Sequence, residues 1–251
     1  MRKLTLLAEL LDFKPRVWRR FEISEDNSIE DLMDTMLIIF NTDVSHIYHL
    51  EIPTKLNDFI KENTDERGKL LKRLPTGIDS FKQIYRGNFF KSKFNYEAIT
   101  PEEVGYVDEF NDDYDDGYDP RMNFKNYQTG VIDFMNYKLQ KEGKNKIRKK
   151  NNPLDKLKSL NLDIAYEMYF KYDYGADWTF KIKVEKISDN LDDLSLIPRV
   201  LRGRCIGIID DIGGSYYLKD LYDTSDEFKN FSQGKLIKSL GPYFNIRKEN
   251  I

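Results

Sequence analysis

IAYEMYFKYDYGADWTFKIKVE, residues 164–185, is the stretch whose reading decides the fold. Tyr166, Met168, Phe170 and Tyr172 alternate onto one face of an extended chain, because side chains of a strand point to opposite sides in turn. Asp173-Tyr174-Gly175-Ala176-Asp177 then reads as a turn. Beyond it Trp178, Phe180, Ile182 and Val184 alternate against Thr179, Lys181, Lys183 and Glu185. Two alternating runs joined by a short Gly/Asp turn make a β-hairpin with one aromatic face and one charged face. An antiparallel sheet buried on one side is the architecture this pattern requires.

The N-terminal part supplies partners for that hairpin. Leu4 to Phe13 reads as a strand, interrupted at Lys14-Pro15 because proline has no N–H for the ladder. In Arg16 to Ile23 the residues Val17, Arg19, Phe21 and Ile23 share one face, and Arg16, Trp18, Arg20 and Glu22 the other. Ser28 and Asp31 form a capping box, in which each side chain accepts a backbone N–H left open at a helix start. Ile29, Leu32, Met33, Met36, Leu37 and Phe40 follow at the spacing of a single helical stripe. Ser45 to Ile52 is a further strand, ending at Pro53.

Between Lys55 and Leu162 the periodicity weakens, apart from a helix start at Thr100-Pro101-Glu102-Glu103. This region carries an acidic block, Asp108 to Asp119, and a basic one, Lys138 to Lys150. After Pro198 comes an irregular stretch with Gly203, Gly207, Gly213 and Gly214, then a helix in the region of Asp226 to Leu240. The expectation is one α+β domain over 1–251. An antiparallel-rich sheet with the amphipathic helix packed on it forms the core from 1–54 and 163–225. A peripheral insertion occupies 55–162, and a C-terminal helix and tail occupy 226–251.

At 251 residues the chain can bury a core without disulfides or structural metal. Charged residues are 33% of the chain, yet net charge is only −3, so any preference for a charged partner has to come from a local patch. The single cysteine, Cys205, excludes an intrachain disulfide and a cysteine-clustered zinc site, and fits a reducing compartment. The N-terminal apolar run breaks at Glu9 and Asp12 with no cleavage site behind it, which argues against a signal peptide. No apolar stretch approaches the ~20 residues of a membrane span. A cytoplasmic location follows from these readings.

Three blocks, in order, resemble the plasmid ORF-3-like family first named from an Ri plasmid. Lys14-Pro15-Arg16-Val17-Trp18-Arg19-Arg20 resembles its KPPIWRR segment, and Ser45 to Ile52 resembles its SHLHEF strand. Tyr172 to Trp178, continuing to Ile187, resembles its YDFGDDWxHxIxVE hairpin. Pro198-Arg199-Val200-Leu201-Arg202-Gly203 and Asp210-Asp211-Ile212-Gly213-Gly214 are similar to its P-x-x-L-x-G and PPEDxGG segments. The blocks span roughly 1–52 and 164–222. Ile208-Ile209 stands where the family has paired prolines, and Thr179-Phe180 where a polar residue and a histidine often follow the tryptophan. The resemblance implies an α+β fold and an association with plasmids and transposons, and it implies no assigned activity.

Candidate sites follow from charge and residue type. Lys14, Arg16, Arg19 and Arg20 surround Trp18 and suit phosphate contacts beside a stacking surface. Lys146, Arg148, Lys149 and Lys150 suit the same polyanion chemistry. Asp112, Asp113, Asp115 and Asp116 interleaved with Tyr114 and Tyr118 suit imitation of a nucleic-acid backbone toward a protein partner. An EF-hand is excluded there, because placing Gly117 at the loop glycine puts Tyr114 and Asn123 at ligand positions. His46 and His49, with Asp173 and Asp177, are the candidates for a metal, although three residues along a strand put the two rings on opposite faces. The aspartates also suit turn roles, accepting backbone N–H bonds.

No phosphate-binding glycine loop, nucleophile elbow, cofactor motif or small-molecule site is visible. The leading expectation is a non-enzymatic binding module of a mobile element that engages nucleic acid or a nucleic-acid-handling protein. The alternatives are a protein-directed, anti-defence inhibitor using the acidic tyrosine tract, and a metal-dependent enzyme.

Overall fold

The computed structural model describes residues 2–42, 46–76, 78, 82–87, 151–189 and 197–224. The chain divides into two compact units, Met1–Tyr106 with Asn151–Ile251, and Val107–Lys150. The second unit, the Thr100 helix start and the 226–240 helix lie outside the described residues. So do Lys146, Arg148, Lys149 and Lys150, and the tract Asp112, Asp113, Tyr114, Asp115, Asp116 and Tyr118.

Among the described residues seven strands form one open sheet: β1 (Lys3–Leu10), β2 (Trp18–Ser24), β3 (Tyr48–Pro53), β4 (Lys82–Arg86), β5 (Glu167–Tyr172), β6 (Trp178–Ser188) and β7 (Arg199–Arg204). Their order is β4-β3-β5-β6-β1-β2-β7, and every neighbouring pair is antiparallel. The fold is therefore α+β with helices packed on the sheet: α1 (Ile29–Ile39), α2 (Thr54–Asn63) and α3 (Ser215–Thr224), plus a short 3-10 turn at Leu157–Leu160.

The aromatic hairpin forms as its alternation requires. Tyr172 pairs with Trp178 and Phe170 with Phe180 across β5 and β6. Phe170, Phe180, Ile182 and Val184 are all fully buried. The Phe40 ring at the end of α1 lies 4.3 Å, centroid to centroid, from Phe180, which seats the helix on this inner face. Each such apolar side chain contributes roughly 1.5–3 kcal/mol by leaving water. β1 stops at Leu10, short of Phe13, because Asp12 turns the chain with φ +53°.

The start of α1 shows how chain from outside the two family-like blocks joins the core. The Ser28 side chain accepts the Asp31 N–H at 3.0 Å, and the Asp31 carboxylate accepts the Ser28 N–H at 2.8 Å, completing the capping box. Two further open N–H groups, those of Ile29 and Glu30, donate to the carbonyls of Asp155 and Pro153 at 2.9 and 2.8 Å. The 151–162 segment is thus held across the helix start, with Leu157 and Leu162 buried beneath it. α2 and β4 also come from 55–162, apart from the first residue of α2, and bring Leu56, Ile60 and Tyr85 into the same core. That region is more than a peripheral addition. Its core contributions come in short pieces, such as Leu56 and Ile60 on α2, Tyr85 on β4 and Leu157 in the 3-10 turn, separated by long stretches of chain.

Candidate functional site

The outer face of the sheet carries the charge. Its β1 side chains are Lys3, Thr5, Leu7 and Glu9; its β2 side chains are Trp18, Arg20 and Glu22. Strand β6 adds Lys181, Lys183, Glu185 and Lys186, and β7 adds Arg199, Arg202 and Arg204. With Arg16 just ahead of β2, the four adjacent strands β6-β1-β2-β7 present nine cationic side chains against three carboxylates. This occurs in a chain whose net charge is −3.

Those carboxylates are already engaged. Glu9 accepts two bonds from the Arg16 guanidinium, at 2.5 and 2.6 Å, and Glu185 two from Arg20, at 2.5 and 2.9 Å. Glu22 is shared between Arg199 at 2.7 Å and Lys3 at 3.1 Å. Hydrogen bonding to the carboxylate raises the pKa of Arg16 and of Arg20 above its ordinary value. Such forks are worth little as exposed pairs but fix the direction of long side chains. Among the described residues Lys183, Lys186, Arg202 and Arg204 form no ion pair, and Arg202, Arg204 and Lys186 are exposed.

Trp18 is half-buried in the middle of this face. The Arg16 and Arg20 guanidiniums lie 5.9 and 5.6 Å from its ring centre, within cation–π range. Lys14 is exposed in the link before β2. Arg19 does not belong with them. It is 1% exposed on the inner face, where its guanidinium donates to the carbonyls of Ile39, Trp18, Arg204 and Ile206 at 2.5–2.9 Å. Strand alternation already put Arg19 opposite Trp18, and the structure removes it from any nucleic-acid surface.

The two histidines go to separate places. His49, 2% exposed, lies on the outer side of β3, with Nδ1 2.6 Å from the Tyr174 hydroxyl and Nε2 3.2 Å from a Glu51 carboxylate oxygen. An ionised Glu51 carboxylate can only accept, so the Nε2 N–H donates in that contact. Tyr174 also stacks on the imidazole at 5.4 Å, which folds the β5–β6 turn back over β3.

His46 lies by the opposite face. Its ring meets Tyr172 edge-on, and its nitrogens approach Asp211 at 3.1 Å and Asp173 at 3.8 Å. Asp173 is a turn residue, accepting the Gly175 N–H at 2.8 Å, and Asp177 closes the turn by donating its N–H to the Asp173 carbonyl at 2.7 Å. His46, His49, Asp173 and Asp177 therefore do not converge, and among the described residues no three His, Cys, Asp or Glu side chains form a metal-holding group. Cys205 is buried, and desolvation raises its thiol pKa, which disfavours the reactive thiolate.

Sequence reading identified Arg16, Trp18 and Arg20 but missed Arg202, Arg204 and Lys183 as their neighbours. Lys183 was visible on the charged side of β6, yet only the strand order puts that side beside β2. Tyr174 had no signal as the partner of His49, since the contact depends on how the turn folds back.

Comparisons with known proteins place the chain in a family. No curated protein gives a significant match. Among solved structures, a protein of unknown function, MM3350 from Methanosarcina mazei Go1, matches at 14% identity with a TM-score of 0.46, over 90% of this chain and 84% of that one. Among the described residues no helix is long and apolar enough to cross a membrane. The family profile described as plasmid pRiA4b ORF-3-like protein matches residues 2–250, and the chain belongs to that family.

Proposed function

We propose that this protein is a binding module of a mobile element that engages nucleic acid through the outer face of β6-β1-β2-β7. The observation that carries the reading is the excess of nine cations over three carboxylates on that one sheet face. The three carboxylates hold Arg16, Arg20, Lys3 and Arg199 in place, and leave Lys183, Lys186, Arg202 and Arg204 to meet phosphates. Polyanion binding at such a face is driven by release of condensed counterions and weakens steeply with salt.

The test is a charge-reversed variant, Lys183→Glu with Arg202→Glu and Arg204→Glu, titrated against a fluorescent oligonucleotide by anisotropy. These are surface positions, so the fold is expected to stay within about 0.5 kcal/mol of wild type per site. Affinity is expected to fall at least about 100-fold, with a shallower dependence on salt. Unchanged affinity in the variant contradicts the reading. Failure of the wild type to bind any oligonucleotide, while a nuclease-resistant protein partner co-purifies, moves the function to a nucleic-acid-handling protein.

A further inference from the structure

Resting on the proposed nucleic-acid face, we infer that its ligand is single-stranded. Cross-strand register sets the face out in rows. One row runs Lys183, Leu7, Arg20, Arg202, and the next Lys181, Glu9, Trp18, Arg204. Each row has an apolar or aromatic side chain inside it and cations at its ends. A single strand matches both parts, because its phosphates meet the cations and its unstacked bases have free π-faces for Trp18 and the guanidinium planes.

A duplex matches only the first. Four strands at ~4.8 Å spacing make a face about 14 Å across before side chains are added. That is wider than the ~12 Å major groove, which admits a helix or a two-stranded ribbon, and than the ~6 Å minor groove. The face meets a duplex only along its phosphate ridge, where the bases are hidden and Trp18 has nothing to stack on. The two carboxylate forks hold the Arg16 and Arg20 guanidiniums 5.9 and 5.6 Å from the Trp18 ring centre, so the direction of these side chains is set before the ligand arrives.

The experiment titrates the full chain with a single strand of about 16 nucleotides and with the duplex of the same length. Anisotropy and intrinsic tryptophan emission are read together. Trp178 is 3% exposed, so a change in emission on binding reports on Trp18. The single strand is expected to bind at least about tenfold more tightly and to quench emission. Trp18→Ala is expected to lower that affinity about 5- to 100-fold, and Trp18→Phe to restore most of it. Equal or tighter binding of the duplex overturns the inference and leaves the proposed function standing. Tighter single-strand binding that is indifferent to Trp18→Ala, in protein shown by circular dichroism to be folded, also overturns it. Binding of neither overturns the proposed function and this inference with it.

Discussion

Arg19→Ala is expected to destabilise the fold by at least about 4 kcal/mol, enough to unfold much of the population of a domain of ordinary stability. Arg19 is 1% exposed and its guanidinium spans three parts of the chain: the end of α1 through Ile39, β2 through Trp18, and the end of β7 with the segment that follows, through Arg204 and Ile206. Removing it strands buried carbonyls, each costing about 1–3 kcal/mol, and opens a cavity as well. Phe40 lies under the guanidinium at 5.4 Å and loses that contact too. Arg19→Lys is expected to recover little, since one ammonium cannot follow the planar fork to carbonyls on three segments. Urea denaturation of the three proteins checks this. A loss below about 1 kcal/mol in Arg19→Ala contradicts the assigned role.

Gly207→Ala is expected to cost about 3–5 kcal/mol, combining backbone strain with overpacking. Gly207 has φ +136°, a conformation that glycine adopts and L side chains rarely do. An added Cβ would lie 2.2 Å from the Phe40 carbonyl oxygen and 2.6 Å from its carbonyl carbon, both backbone atoms that cannot swing aside. The same glycine exchanges hydrogen bonds with the buried Tyr222 hydroxyl, donating its N–H at 3.0 Å and accepting the O–H at 2.8 Å. Next to it the Ile208 N–H donates to the Phe40 carbonyl at 2.9 Å. The position therefore joins the end of α1 to α3, and Tyr222 and Leu218 lose their seat if it shifts. Thermal unfolding followed by circular dichroism checks the prediction. Gly214→Ala, with φ +91° but no atom within 4 Å of the added Cβ, separates the strain from the clash.

These two positions also mark where the sequence was and was not legible. Strand alternation put Arg19 on the face of Phe21 and Ile23, although the same reading also offered it as a phosphate contact, which its burial excludes. The α1 cap at Ser28 and the Phe170–Phe180 hairpin were legible, because each is encoded within a few neighbouring residues. The stretch around Gly203 and Gly207 read as irregular, yet it contains β7 and leads into α3. Its glycines are there because Arg19 and Phe40 press on them from distant parts of the chain, with Arg19 Cδ 2.7 Å from a Cβ added at Gly203. α2 was hidden for a related reason. Its N-cap position is Pro53, with no side-chain cap, and it docks through Asn57, which exchanges hydrogen bonds with the Glu167 backbone at 2.9 and 3.0 Å. Leu56, Phe59 and Ile60 do fall at helical spacing, but over a single turn of a ten-residue helix that is too short a stripe to read without a cap.

The candidate surface was legible in part for the same physical reason. Alternation within one strand separates Trp18 and Arg20 from Arg19, and Lys181 and Lys183 from Ile182. Whether the charged sides of β2, β6 and β7 adjoin depends on the order β6-β1-β2-β7, which long connections set rather than local pattern. The basic stretch Lys146 to Lys150 has a similar composition, and a direct map of the bound ligand separates it from the sheet face.

The most direct measurement is photo-cross-linking of the wild-type chain to a single-stranded oligonucleotide carrying 5-bromouracil, with the attached peptides identified by mass spectrometry. The account predicts cross-links in the β2 peptide containing Trp18 and in the β7 peptide containing Arg202 and Arg204. Cross-links confined to peptides from the 138–150 stretch, with none on β2 or β7, would contradict it.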